Sequence, residues 1–163
     1  MRFIGQKTKK IYSDFISKYL PKDIIIYVEP FGGSFAISTY LETKPKIMVY
    51  NDINTYDINI NADHIHHLDY KDIFDMYDSE NTVFYMDPPY FNKEFFYDGC
   101  EKYTKDFHIE LKENINNLKG KVIISYESKS FILKLYSDYN IYRYNGTDSI
   151  LKNEIIITNF VFQ

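Results

Sequence analysis

Short apolar runs alternate with amphipathic segments along most of the chain. The apolar runs predict seven strands, at residues 24–29, 46–51, 64–68, 82–86, 121–126, 139–144 and 154–162. The amphipathic segments predict helices at residues 8–20, 35–43, 54–60, 70–77, 106–118 and 129–136. Strands that alternate with helices indicate a doubly wound, largely parallel α/β sheet with helices on both faces.

The helix that follows the fourth strand has a predicted cap at each end. Asp106 is a typical N-cap residue, and Glu110 follows it into the start of the helix. Gly120 is typical of a helix C-terminus. We therefore expect this helix to begin at Asp106 and to end just before Gly120.

Length and composition indicate one globular domain over residues 1–163. Hydrophobic residues make up 45% of the 163 residues, which is enough for a sizeable core. Runs such as Ile24–Ile26 are far too short to span a membrane, so no membrane partner is expected. A single cysteine, Cys100, cannot form an internal disulfide, which favours a reducing, cytoplasmic setting.

The charge is mildly acidic and unevenly distributed. The formal net charge of −4 counts against nucleic-acid binding, which usually needs a basic face. Residues 51–80 hold eight acids and one base, which leaves 18 bases and 15 acids elsewhere. A basic face outside residues 51–80 is therefore possible, and an ordinary solvated surface is the alternative.

A glycine-rich turn follows the first strand at Pro30–Ser34. Glycines there allow a ligand to approach the backbone closely, although a tight strand-to-helix turn needs them too. Asp52 ends the second strand 23 residues after Glu29, and an acid at this distance commonly binds a ribose diol. The turn is not GxGxxG and no P-loop lysine follows. A nucleoside ligand without a pyrophosphate, such as S-adenosylmethionine, fits this pattern best.

Asp69 and Tyr70 end the third predicted strand. The Asp69 carboxylate could accept a hydrogen bond from an adenine amino group, with the Tyr70 ring beside the base. The alternative is that Asp69 caps the helix that follows.

The tetrapeptide Asp87-Pro88-Pro89-Tyr90 ends the fourth strand, where α/β sheets place their working groups. The Asp87 carboxylate and the Pro88 carbonyl can accept both hydrogens of an exocyclic amino group, which frees the nitrogen lone pair. Consecutive prolines make the segment stiff, and Tyr90 offers a flat face on which a flipped base can stack. A proline turn after a strand is the structural alternative.

Three further features have a functional and a structural interpretation. The histidines at 64, 66 and 67 lie beside acids, but nothing else at metal-site spacing supports them, so we expect no metal. Ser125 and Tyr126 end the fifth strand and either line a pocket or pack in the core. The loop at 91–105 either grips a nucleic acid or folds over the cofactor, and its candidate residues are Lys93, Phe95, Phe96, Tyr97, Lys102, Tyr103 and Lys105.

These motifs together resemble the N6-adenine DNA methyltransferases of the Dam-like, D12 class. The similar segments, in chain order, are residues 3–7, 28–34, 51–54, 69–70 and 87–90, followed by 107–108 with Leu111, 120–126 and 154–159. The resemblance implies a Rossmann-like methyltransferase fold, S-adenosyl-L-methionine as cofactor and DNA as substrate. It assigns catalysis to Asp87–Tyr90. It assigns cofactor binding to Phe3, Lys7, Glu29, Pro30, Phe31, Gly32, Gly33, Ser34, Asp52, Ile53, Asp69, Tyr70 and Asp87.

The chain departs from the family pattern at two places. Phe3 replaces the family's usual tryptophan. The family also inserts a target-recognition domain before Asp-Pro-Pro-Tyr, whereas only 17 residues separate Asp69 from Asp87. Domains usually have at least ~50 residues, so we expect a minimal catalytic domain without a separate recognition domain. Three alternative functions stay open. The chain could methylate N4 of cytosine or adenine in RNA, or it could be a cofactor-binding subunit that is inactive without a partner. A homodimer and a separate specificity partner also stay open.

Overall fold

The computed structural model describes residues 10–91, 103–149 and 151–162. Seven of the predicted site residues lie outside these ranges: Phe3, Lys7, Lys93, Phe95, Phe96, Tyr97 and Lys102. Within the described ranges, the helices are α1 (Lys10–Ile16), α2 (Tyr70–Tyr77), α3 (Lys105–Ile115) and α4 (Ser130–Leu135). The strands are β1 (Ile26–Glu29), β2 (Ile47–Asn51), β3 (His64–His66), β4 (Thr82–Met86), β5 (Lys121–Glu127), β6 (Asn140–Arg143) and β7 (Glu154–Thr158).

The seven strands form one sheet in the order β3-β2-β1-β4-β5-β7-β6. Strands β3, β2, β1, β4 and β5 run parallel to one another, whereas β7 runs antiparallel to both β5 and β6. This confirms the predicted seven-stranded, mostly parallel sheet. The strand order reverses between β1 and β4, and ligands of open α/β sheets bind at such a switch point.

Successive residues of the central strands point to opposite faces, and each face has its own core. Val28 and Phe84 lie in one core with residues of α2, α3 and α4. Tyr27 and Tyr85 lie in the other core with Phe15 and Ile16 of α1. All five residues of β4 are buried, as expected for a strand covered on both faces.

Two predicted helices take a different form. Residues 35–43 contain only a short 3-10 helix, Ile37–Tyr40. Residues 54–60 form no helix, so that prediction was wrong. The Asn54 N–H donates to Asp52 Oδ1 at 3.0 Å, and a side chain that binds the backbone locally in this way competes with helix formation.

Both predicted caps of α3 were also wrong. Thr104 occupies the N-cap position, and Asp106 lies within the first turn. The helix ends at Ile115, five residues before Gly120. Gly120 instead precedes β5, where an added Cβ would lie 2.9 Å from the Thr82 carbonyl oxygen. Close strand packing, and not a helix end, therefore requires this glycine.

Across the parts of the chain that the structure describes, every helix is too short or too polar to cross a bilayer.

Candidate active site at the carboxyl end of the sheet

The carboxyl ends of β1 and β4 lie side by side at the switch point, because the two strands are parallel neighbours. The Pro30–Ser34 turn follows β1, and Asp87–Tyr90 follows β4. Asp52 follows β2 on the other side of β1. The topology therefore brings three of the predicted motifs to one edge of the sheet.

A backbone hydrogen bond holds the glycine turn against the end of β2. The Gly32 N–H donates to the Asn51 carbonyl at 2.7 Å, and a Cβ on Gly32 would overlap the Tyr50 ring. Gly33 has a φ of +47°, and an added Cβ would have open space within 4 Å. The first glycine is therefore required by packing, and the second leaves the backbone accessible to a ligand.

Asn51 connects the turn to the segment after β3, a role that sequence reasoning missed. Its Nδ2 donates to the Pro30 carbonyl at 2.9 Å and to the Leu68 carbonyl at 3.0 Å. Its Oδ1 accepts from the Leu68 N–H at 2.9 Å. A polar residue at the end of an otherwise apolar strand was the available signal, because a side chain buried there must find hydrogen-bond partners.

The Asp52 carboxylate faces the glycine turn. Its Oδ2 accepts from the Gly33 N–H at 2.9 Å, and its Oδ1 accepts from the Asn54 N–H at 3.0 Å. Burial raises the pKa of Asp52, and these hydrogen bonds partly oppose that shift. An ionised carboxylate has about four lone-pair sites, so it retains capacity for further donors. Ile53, beside it, is 47% exposed.

Glu29 is a buried acid at the end of β1. It is 2% exposed, and its Oε1 accepts from the Tyr27 hydroxyl at 2.7 Å. Burial is the main cause that raises the pKa of Glu29 to about 8. The hydrogen bond from Tyr27 lowers this pKa, and the nearby charge of Asp87 raises it further. Glu29 is therefore mostly protonated at neutral pH.

Asp69 caps α2, which confirms the structural alternative for this residue. Its side chain accepts from the Lys71 N–H at 3.0 Å. The Tyr70 ring is 5% exposed and lies 5.5 Å from Phe31 and 6.0 Å from Phe107. Phe31 thus connects the glycine turn to this aromatic group. Contact of Asp69 and Tyr70 with a cofactor stays a prediction.

Buried residues on neighbouring strands hold both ends of the Asp87–Tyr90 segment. Ser125 Oγ on β5 donates to Asp87 Oδ1 at 2.9 Å. The Tyr90 hydroxyl donates to Glu154 Oε2 on β7 at 2.9 Å, and the Tyr90 ring is 8% exposed. Ser125 was singled out only as a pocket or core residue, and the role of Glu154 was missed.

Two of the candidate residues in the 91–105 loop, Tyr103 and Lys105, lie within the described ranges, towards different parts of the site. The Tyr103 ring lies 5.1 Å from Phe107, which in turn lies 6.0 Å from Tyr70, so Tyr103 extends the aromatic group beside the glycine turn. Burial, followed by the charge of Asp52, raises the pKa of Tyr103. Lys105 Nζ lies 5.1 Å from the centre of the Phe131 ring on α4. Lys105 lies towards the β5 side, and whether the loop grips a nucleic acid or folds over the cofactor stays a prediction.

The three histidines at the end of β3 lie beside the end of β2, where His67 Nδ1 is 3.0 Å from the Asp52 carbonyl oxygen. The His64 and His66 rings are 6.4 Å apart on one face, and His66 Nε2 is 2.8 Å from the Tyr77 hydroxyl. Within residues 10–91, 103–149 and 151–162, no group of three or more potential metal ligands occurs.

The sequence matches the family model of the D12 class N6 adenine-specific DNA methyltransferases. The match runs over residues 3–68 and 59–150, which together span most of the chain. The chain belongs to this family. It is therefore a methyltransferase of the S-adenosyl-L-methionine-dependent type. No curated protein matches the sequence of this methyltransferase.

Solved structures share the fold of the methyltransferase at low sequence identity. An rRNA methylase from Streptococcus thermophilus has a TM-score of 0.52 and 10% identity, over 95% of this chain and 96% of the other. A protein from Streptococcus mutans, assigned as a methyltransferase and solved with SAH, has a TM-score of 0.53 and 13% identity, over 95% and 97%. A ribosomal protein L11 methylase from Lactobacillus delbrueckii subsp. bulgaricus has a TM-score of 0.57 and 9% identity, over 90% and 74%. These likenesses establish the fold.

The residues around the glycine turn fit S-adenosyl-L-methionine, the cofactor of this methyltransferase. Open space beside Gly33 leaves room for a ligand next to the backbone. The Asp52 carboxylate is fixed next to that space by the Gly33 N–H, where it can accept hydrogen bonds from ribose hydroxyls. The absence of a phosphate-binding lysine agrees with a ligand that has no pyrophosphate.

Proposed function

We propose that this methyltransferase modifies the N6 amino group of adenine in DNA. The observation that carries the proposal is the position of Asp87. Asp87 follows β4, on the opposite side of the switch point from the Pro30–Ser34 turn, and Ser125 donates a hydrogen bond to one of its carboxylate oxygens. The family match over residues 3–150 supports adenine in DNA as the acceptor.

Asp87 and Pro88 are suited to activating an aromatic amine. The lone pair of an adenine amino nitrogen is delocalised into the ring, which makes the nitrogen a poor nucleophile. The Asp87 carboxylate and the Pro88 carbonyl accept the two N–H groups and draw the nitrogen towards a tetrahedral geometry. S-adenosyl-L-methionine supplies an electrophilic methyl group. As the new C–N bond forms, the bond between the methyl carbon and the cofactor sulfur would break, with its electron pair left on sulfur. The amino nitrogen would then lose a proton to Asp87 or to water.

Tyr90 is proposed to stack on the flipped adenine. A base in a duplex must leave the stack before its amino group can reach Asp87. The hydrogen bond from the Tyr90 hydroxyl to Glu154 and the adjacent Tyr126 ring, 5.8 Å away, fix the plane of the Tyr90 ring. A fixed ring plane supports stacking, because a base then binds without first ordering the side chain.

The charge distribution favours approach of nucleic acid over the β5 half of the sheet. Residues 51–80, which include β3 and α2, hold eight acids and one base and would repel a polyanion. Lys129, after β5, and Arg143, at the end of β6, lie at the carboxyl end of the opposite half. With Lys105 near α4, they supply cations on the Asp87 side. We propose that phosphates bind there, together with residues of the 91–105 loop.

We also propose that residues 1–163 act as one catalytic domain without a separate recognition domain. The short path from Asp69 to Asp87 supports this proposal. Within that path, the structure forms only α2, β4 and their connections.

The test identifies the methylated nucleoside. The purified protein is incubated with labelled S-adenosyl-L-methionine and either unmodified DNA or RNA, and the products are digested to nucleosides. We expect the label in N6-methyl-2′-deoxyadenosine from the digested DNA. Label only in N4-methylcytosine, or only in RNA, would contradict the proposal. So would methylation that begins only after a second protein is added.

A further inference from the structure

Asp87 accepts a hydrogen bond from one buried hydroxyl group, which is itself hydrogen-bonded to a second buried hydroxyl group. Ser125 Oγ donates to Asp87 Oδ1 at 2.9 Å, and the Tyr85 hydroxyl lies 3.0 Å from Ser125 Oγ. Ser125 is 0% exposed and Tyr85 is 1% exposed. Water therefore has little access to the hydroxyl groups of either residue.

Strand register explains why Ser125 meets Asp87. Met86 on β4 pairs with Ile124 on β5, so the next residues along the two parallel strands are Asp87 and Ser125. Tyr85 and Asp87 are two residues apart and point to the same face of the sheet. A single side of the β4–β5 pair thus presents the complete chain of three groups.

The direction of the hydrogen bonds follows from the available protons. A serine hydroxyl has one proton, and Ser125 directs it to the Asp87 carboxylate. Tyr85 must then be the donor to Ser125 Oγ. Burial, followed by the Asp87 charge, raises the pKa of Tyr85 well above its usual range, so the tyrosine keeps its proton. Each donor polarises the next, which strengthens the bond to Asp87.

We propose that Ser125, supported by Tyr85, is a positioning residue for methyl transfer that fixes the Asp87 carboxylate in the orientation needed to accept the amino group. The proposal rests on the proposed role of Asp87. A carboxylate with one oxygen fixed has one orientation to offer the substrate, and it needs no reorganisation during the reaction.

The principal test compares Ser125→Ala, Ser125→Thr and Tyr85→Phe with the wild type. A hydrogen bond to a charged group contributes about 1.5–3 kcal/mol, so Ser125→Ala is expected to lower kcat by about 10–100-fold. Ser125→Thr keeps the hydroxyl and should stay within about fivefold of the wild type. Tyr85→Phe should have a smaller effect than Ser125→Ala, because the direct donor remains. Substrate KM and cofactor Kd should change less than about twofold. Ser137→Ala, at an exposed serine after α4, is the matched control.

The pH profile separates positioning from a loss of packing. Without the Ser125 donor, the ionised form of Asp87 loses a hydrogen bond, so the acid limb of kcat/KM should move to higher pH. Among residues 10–91, 103–149 and 151–162, the Asp87 charge acts on the titratable groups of Glu29, Tyr85, Tyr90 and Tyr126. The pKa of Glu29 is raised to about 8, and burial raises the three tyrosine pKa values well above 10, so none of these groups changes its charge on the acid limb.

The failure of this proposal differs from the failure of the proposed function. Methyl transfer is measured on whichever acceptor the wild type modifies. An acceptor other than adenine in DNA would contradict the proposed function, but the Ser125 variants could still be compared on that acceptor. Wild-type activity in Ser125→Ala would overturn positioning by Ser125. Positioning would also be contradicted if Ser125→Ala lost kcat, cofactor affinity and thermal stability to the same extent while the acid limb of kcat/KM stayed at the same pH. A crystal structure of Ser125→Ala with Asp87 unmoved would also overturn it, whatever the activity.

Discussion

Replacing Glu29 with glutamine is expected to stabilise the protein at alkaline pH more than at acidic pH. Glu29 is 2% exposed, and its pKa is raised from 4.5 to about 8 by burial, with the Asp87 charge as a further cause. The unfolded chain therefore releases the Glu29 proton near pH 4.5, whereas the folded protein retains it until about pH 8. The contribution of Glu29 to stability is thus fully present below pH 4.5 and is lost as the pH rises to about 8.

The size of the effect follows from this difference in pKa. One tenfold change in proton affinity is worth about 1.4 kcal/mol, so a pKa raised from 4.5 to about 8 corresponds to roughly 5 kcal/mol. Glutamine has the size of protonated glutamate, can still accept from the Tyr27 hydroxyl and does not titrate. The stability of Glu29→Gln relative to the wild type should therefore rise by several kcal/mol between pH 5 and pH 8.5.

Urea unfolding followed by far-ultraviolet circular dichroism measures this difference at pH 5, 6, 7, 8 and 8.5. Glu113→Gln, at an exposed glutamate on α3, is the matched control and should keep a nearly constant difference from the wild type. A Glu29→Gln curve parallel to the wild-type curve across this pH range would refute the assignment of a buried, protonated Glu29.

Three further substitutions test the cofactor side of the site. Asn51→Ala removes three hydrogen bonds and leaves buried backbone groups without partners, so urea unfolding should show a loss of about 2–4 kcal/mol; an unchanged midpoint would contradict the role of Asn51. Gly32→Ala places a Cβ against the Tyr50 ring and should cost about 1–3 kcal/mol by the same assay, whereas tolerance would show that the turn can move. Asp52→Ala should weaken S-adenosyl-L-methionine binding by about 10–100-fold in calorimetry, because hydrogen bonds to a charged group are lost; the exposed Asp57→Ala is its control, and equal affinity of both variants would contradict ribose binding by Asp52.

The strand pattern and the three motifs could be predicted because parallel strands bring their carboxyl ends to one edge of a sheet. Apolar runs such as 82–86 coincide with β4 in the structure. Local signals failed where side chains had other partners. Asp52 binds the backbone of Asn54 and prevents a helix there, and Gly120 is required by contact with the Thr82 carbonyl.

The contacts that hold Asp87 and Tyr90 could not be predicted from sequence. The bond between Ser125 and Asp87 depends on the register of β4 and β5, and the bond between Tyr90 and Glu154 depends on β7 inserting antiparallel beside β5. The partners are 38 and 64 residues apart in the chain, so no local pattern connects them. The sequence shows only a serine near the end of the fifth predicted strand and a glutamate at the start of the seventh.

The central claim is that Asp87 activates the amino group of adenine. Its most direct test is the single-turnover rate of N6-methyladenine formation in DNA at saturating S-adenosyl-L-methionine, for the wild type, Asp87→Ala and the exposed control Asp72→Ala. Loss of a preorganised acceptor should lower the Asp87→Ala rate by about 100-fold or more, with Asp72→Ala close to the wild type. Equal rates for the wild type and Asp87→Ala would contradict the account.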